Sequence, residues 1–215
     1  SDTTGYPNVG AFHDDRLYMG GSTSNPDFIA GSITGAYENM APTTAAGEVL
    51  ATSGISIRLN SRRLSKVKWL SSNKDGLAVG TGSKEYLLRS QDSTNKTLNP
   101  KDGIKAVDSG SRGSSDCNIA EIDTQVLFPA RGGRTLREFA YTYESDGYKS
   151  PSMSQLASHL GISPFIKQAY AAEPFSIDWC LRSDGTVVGL TYNRDENVVG
   201  WHRHDFGGFV ESIRS

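Results

Sequence analysis

The sequence predicts an all-β protein, a β-propeller-like array of antiparallel meanders, and three observations carry that prediction. Runs that alternate apolar and polar residues, the pattern of half-buried strands, recur along the chain. Reversals rich in Gly, Asn and Asp separate them, and these residues tolerate the backbone of tight hairpins. The composition, 36% hydrophobic with 23 glycines in 215 residues, suits many short strands joined by turns better than a helical bundle.

Four segments share this grammar. In the first, "NVGAFHDDRLYMGGS" followed by "DFIAGSITGAYENM", His13-Asp14-Asp15 supplies a turn and Val9, Ala11, Leu17 and Met19 supply the period-2 apolar positions. That predicts a hairpin and a returning strand. The second, "SKVKWLSSNKDGLAVGTGSKEYLLRS", places Val67 and Trp69 on one side, turns over Asn73 to Gly76 and again over Gly80 to Ser83, and so predicts a three-stranded meander. The third runs from Cys117 to Tyr148, with Arg131-Gly132-Gly133-Arg134 as the tight turn between "TQVLFPA" and "TLREFAYTY". The fourth runs from Gln168 to His204, with turns at Ser183 to Gly185 and Arg194 to Asn197.

The segments recur at roughly fifty to sixty residues, longer than the usual blade period of about 40–50, and inserted loops account for the excess. Meanders that cannot bury both faces alone stack radially in a propeller, with a sandwich as the competing arrangement. The expectation is about four such units over residues 1–215, forming a single β-propeller domain or an incomplete propeller from a larger protein. Ser1 in place of Met, and a closing "GFVESIRS" that reads as a strand cut off in mid-course, support the second version.

Two stretches break the pattern. "SPSMSQLASHLGI" offers Ser152 or Ser154 as an N-cap, Leu156 and Leu160 four apart, and Gly161 as a stop, predicting one short helix near 152–160. The polar tract from Ser90 to Gly103 predicts a long surface loop.

Charge is nearly balanced, 22 Lys plus Arg against 24 Asp plus Glu, which argues against a broad nucleic-acid-gripping surface. No apolar run approaches the ~18–20 residues that span a bilayer, so a soluble protein without membrane insertion is expected. Cys117 and Cys180, far apart and outside any C-x-x-C, read as buried thiols.

In "NVVGWHRHDFGG" the strand period puts His202 and His204 on one face, Trp201 and Arg203 on the other; two histidines make a weak metal candidate without a third ligand. Ser183-Asp184-Gly185-Thr186 is similar to the Asp-box turn of sialidase-type propellers, but its spacing differs and no Trp follows. No G-x-S-x-G marks a hydrolase nucleophile. The basic cluster Arg58, Arg62, Arg63, Lys66 and Lys68 could meet passing phosphates through non-specific, salt-sensitive contacts, or be a solvated face.

Four blocks, "YPNVGAFHDDRLYMGGSTSNPDFIAGSITGAYENM", "NSRRLSKVKWLSSNKDGLAVGTGSKEYLL", "VLFPARGGRTLREFAYTYESDGYKSPSMSQLASHL" and "DWCLRSDGTVVGLTYNRDENVVGWHRH", together resemble, in order, the tail nozzle proteins (tubular tail protein B) of short-tailed bacteriophages and related phage tail proteins. The residues carrying the likeness include Trp69, Arg131, Gly132, Gly133, Trp179, Asp184, Gly185, and Trp201 to His204. The resemblance implies a structural virion protein, made in the bacterial host cytoplasm and located in the tail. It would form a ring of six copies around the path of DNA ejection, beside tail adaptor and fibre proteins, and contact viral DNA only transiently. It implies no catalytic residue, metal or cofactor. The family's proteins are several times longer, so the chain would be their central propeller portion. The alternative reading is a propeller glycosidase or receptor-binding module acting on host surface polysaccharide.

Overall fold

The computed structural model describes residues 5–60 and 64–214. It divides into two compact units, one ending at Gly113 and one beginning at Ser114, and each holds two four-stranded antiparallel sheets. In the first unit β1 (Val9–His13), β2 (Arg16–Gly20), β3 (Phe28–Gly31) and β4 (Ile55–Arg58) lie in chain order. So do β5 (Val67–Asn73), β6 (Gly76–Thr81), β7 (Glu85–Ser90) and β8 (Ile104–Gly110). The second unit repeats the plan with β9 (Ala120–Ile122), β10 (Gln125–Pro129), β11 (Leu136–Thr142) and β12 (Gly147–Lys149). Its other sheet is β13 (Phe165–Ala171), β14 (Ile177–Arg182), β15 (Val187–Asn193) and β16 (Val198–His204). Four sequential four-stranded meanders are the blade pattern of a β-propeller-like, all-β fold.

Local chemistry sets the registers. Asp14 and Asp15 adopt φ of 48° and 56°, the two left-handed residues of a hairpin turn, which pairs His13 with Arg16 and every residue behind them. The first unit's core gathers Tyr18, Ile29, Ile55, Val67, Leu77 and Leu88; the second's gathers Leu127, Leu136, Phe165, Cys180, Leu190 and Tyr192.

The structure corrects five details of the sequence reading. The meanders gain a fourth strand: β4 and β8 follow the long connections 32–54 and 91–103 and, as outer strands, show little of the burial that produces alternation. The register Ala11↔Tyr18 and Phe12↔Leu17 puts Leu17 and Met19 on the face opposite Val9 and Ala11; the buried side of β2 carries Arg16 and Tyr18. The tract 90–103 is not wholly superficial, since Leu98 is fully buried and its N–H donates to Asp14 Oδ2 at 3.1 Å.

The helix near 152–160 is instead a 3-10 turn over Ser158–Ile162. Ser154 Oγ accepts from Leu136 N–H at 3.1 Å rather than capping, Leu156 is exposed while Leu160 is buried, and Gly161 lies within the turn, where a Cβ would come 2.1 Å from Arg134 O. Finally, the described part of "GFVESIRS" is no strand: it folds back on the turn after β14, with Val210 N–H donating to Gly185 O and Ser212 Oγ accepting from Lys167 Nζ. Cys117 and Cys180 are free and buried.

Candidate functional site

The strand that carries His202 and His204, β16, is an edge strand of its sheet. Alternation sends Trp201 inward, where it stacks on Phe165 and its Nε1–H donates to Met153 O at 2.8 Å. Arg203 is exposed. On the other face His202 Nδ1 and His204 Nε2 lie 2.6 Å apart in hydrogen-bond contact, His202 Nε2 meets Thr191 Oγ1 at 3.1 Å, and both rings meet Trp179 edge-on. Burial, and then the neighbouring His204, lower the His202 pKa. Each nitrogen facing its neighbour is already engaged, and among the described residues no group of three or more His, Cys, Asp or Glu could hold a metal. Beside the pair, an open groove of about 370 Å³ is lined by Trp179, Val187, Phe206, Val210, Ile213 and Arg214 among others.

Asp184 is a turn staple. Its Oδ1 accepts from Thr186 N–H at 3.1 Å and Thr186 Oγ1 at 2.6 Å, and its Oδ2 accepts from Ser163 Oγ at 2.7 Å and pairs with Arg182 Nη2 at 3.0 Å. Partial burial works against ionisation, but Thr186, Ser163 and Arg182 overcome it and hold the carboxyl at about 2. A carboxylate so tightly held is a poor general acid, which would need its pKa raised. Asp184→Ala is expected to cost about 1 kcal/mol through the lost turn bonds, read by denaturant unfolding, and to leave any release of reducing ends from capsule polysaccharide unchanged. A loss of such release in the variant would make Asp184 catalytic.

The remaining signature residues also pack or turn the chain. Gly133 (φ 68°) sits 3.0 Å, by its would-be Cβ, from Pro164; beside it in the β10–β11 turn are Gly132, with open space around it, and Arg131. Gly185 (φ 76°) has Phe209 where a Cβ would point. Trp69 lies over Gly80 and Trp179 faces Gly189, each pair directly opposite across two strands.

Of the basic cluster, Arg58, Lys66 and Lys68 fall within the described residues. Arg58 pairs with Asp27 Oδ1 at 3.1 Å, donates to Asn25 Oδ1 at 3.0 Å and lies over Phe28. Lys66 and Lys68 are half-buried, before β5 and in it, and Arg62 and Arg63 lie outside the described residues.

The sequence did not reveal a second cluster, in the first unit. His13 Nδ1 meets Ser72 Oγ at 2.9 Å, and its Nε2 lies 3.3 Å from Asp14 Oδ2 without hydrogen-bonding geometry. Burial lowers the His13 pKa and Asp14 opposes it. A neutral imidazole against a hydroxyl is the pair used for nucleophilic attack, and a polar cleft of about 320 Å³ adjoins it. Asp14 Oδ2, however, accepts the Leu98 N–H, so the trio clips the 91–103 connection to the β1–β2 turn. Only the fold joins residues 13 and 72; no motif could have announced them.

Fold and sites together define an all-β, propeller-like scaffold whose distinctive residues are occupied in packing and turns. No protein-family model matches the chain, and no curated protein sequence matches it either. Among solved structures it is similar to human WBSCR16 (10% identity, TM-score 0.52), over 100% of this chain and 59% of that one. It is also similar to the Pan2 WD40 domain of Neurospora crassa (10% identity, TM-score 0.47), over 86% of this chain and 46% of that one. The first likeness is one of fold alone, and the chain spans 59% of that structure's length.

Proposed function

We propose that the chain is a structural virion component, the propeller-like portion of a tail nozzle subunit of a short-tailed bacteriophage, repeated in a ring around the DNA exit path. One observation carries the reading. The four blocks that resemble nozzle proteins fall one to a sheet and in chain order: residues 6–40 on β1 to β3, 60–88 on β5 to β7, 126–160 on β10 to β12, and 178–204 on β14 to β16. The residues that mark those blocks pack rings on glycines or staple turns, as a scaffold requires. Near-balanced charge also suits a conduit, because a strongly basic wall would retain DNA through counterion release. Lys66, Lys68, Arg62 and Arg63 then touch phosphates weakly and without sequence preference. Among the described residues no helix is long and apolar enough to cross a membrane.

The test is electron microscopy of virions carrying a gold-binding tag in the exposed 91–97 stretch of the protein that contains this chain. Label in a ring on the tail axis is the expected result. Label on the capsid or on peripheral fibres, or an absence of the protein from purified virions, overturns the proposal.

A further inference from the structure

The core of the second unit buries a carboxyl group that none of the roles above uses. Asp178, on β14, is fully buried. Its Oδ2 accepts a 2.6 Å hydrogen bond from Gln168 Nε2 on β13, and the Cys180 Sγ lies 3.5 Å from the same oxygen. Gln168 is itself buried and fixed from behind: its N–H donates to Asn118 Oδ1 at 2.9 Å, and its carbonyl accepts from Asn118 Nδ2 at 2.7 Å. This arrangement leaves two acceptors, Asp178 Oδ1 and Gln168 Oε1, buried with no donor. A buried carboxylate with one amide donor, one weak thiol donor and no cation would carry an uncompensated charge, which costs far more than a neutral acid in the same place.

We propose that the missing donor is a proton on Asp178 itself. Asp178 is a neutral carboxylic acid in the folded protein, its Oδ1–H donated to Gln168 Oε1, and the resulting acid–amide pair is a pH-sensitive catch in the core of the second unit. One added proton satisfies both orphaned oxygens and removes the buried charge. The surroundings agree. The facing thiols, Cys117 and Cys180, are themselves kept protonated: burial, reinforced by Asp178, pushes Cys117 up to about 12 and Cys180 well above its ordinary range. Tyr170 and Leu190 stand opposite Asp178 across β13 and β15. The nearby cations have other partners: Arg182, farther along β14, pairs with Asp184, and Arg194 pairs with Glu138 beside the end of β15. Burial raises the Asp178 pKa from 3.8 to about 7 against the pull of Gln168 and Cys180.

The direction of the effect follows. Between 3.8 and about 7 the folded protein holds a proton that the unfolded chain has released, so stability falls as pH rises through that window and levels off above it. This is opposite to the usual ion-paired aspartate.

The experiment uses the full chain and its Asp178→Asn variant, which keeps the shape and places an N–H where the proton is proposed. Opening of the second unit is followed by hydrogen exchange in peptides over 165–193 from pH 5 to 8, corrected for intrinsic exchange. In the native protein the opening constant is expected to rise about tenfold per pH unit up to near pH 6.5, relative to the variant. Infrared spectra with isotope-labelled aspartate should show one protonated carboxyl band near neutral pH that fades toward pH 8 and is missing in the variant. Parallel pH profiles for the two proteins, or no such band at pH 6, overturn the proposal. If the variant does not fold, the band in the native protein decides alone.

Discussion

Replacing Arg16 by Met is expected to destabilise the first unit by about 4 kcal/mol, since it leaves three main-chain carbonyls without their charged donor at roughly 1–3 kcal/mol each. Arg16 is 1% exposed, and its guanidinium donates to three main-chain carbonyls, from Nη1 to Ser32 O (2.6 Å) and Ser53 O (2.7 Å), and from Nη2 to Ala51 O (2.6 Å). All three lie in the 32–54 connection between β3 and β4, a length of chain with no strand of its own. Without the guanidinium these carbonyls lose the donor that ties both ends of the connection to β2, and an apolar Met offers none. The loss is therefore local before it is global. Denaturant unfolding should show the lowered stability, and limited proteolysis should cut first between residues 41 and 50. Arg16→Lys should recover only part of the effect, since an ammonium is a point donor without the planar fork that spans three acceptors. Equal stability of the Met variant and the native protein would contradict this assignment.

Arg16 also shows where the sequence stops being readable. Period-2 alternation announced β1 and β2 but not which parity faces inward; the Asp14-Asp15 turn sets that, by pairing His13 with Arg16. An arginine at the inward position reads as solvent-facing because Arg is seldom fully buried. β14 to β16, by contrast, were legible because Gly- or Asn-containing turns bound each apolar-rich run, whereas β8, with no buried residue, left no pattern. The faces of Trp201 to His204 followed from strand geometry alone. The contact between the two histidine rings, the Ser72–His13 pair and the Asp178–Gln168 pair did not, since each depends on rotamers or on residues that only strand pairing brings together.

The second large effect is expected at Gly80, where substitution by Ala should cost about 3 kcal/mol through overpacking. Gly80 on β6 pairs directly with Trp69 on β5, and a Cβ there would lie 2.0 Å from Trp69 Cε2 and 2.1 Å from its Nε1. The backbone at Gly80 is open to any residue, so the penalty comes from the ring and not from φ. Trp69 is 3% exposed and cannot swing into solvent without opening the sheet. Trp69→Ala alone should cost about 4 kcal/mol by emptying the site. With the ring gone, adding Gly80→Ala should cost almost nothing more, so the double-mutant cycle is expected to show a coupling of about 3 kcal/mol in denaturant unfolding. Retention of the full Gly80→Ala penalty in the Trp69→Ala background would mean that something other than the indole excludes the methyl group. The last sheet supplies the control. A Cβ at Gly189 would lie 2.2 Å from His202 Cε1, an equally close approach, but that ring sits half-buried on an outer strand. It can rotate away at the loss of its His204 and Thr191 contacts, and Gly189→Ala should cost clearly less than Gly80→Ala, because the same clash is relieved wherever the ring has somewhere to go.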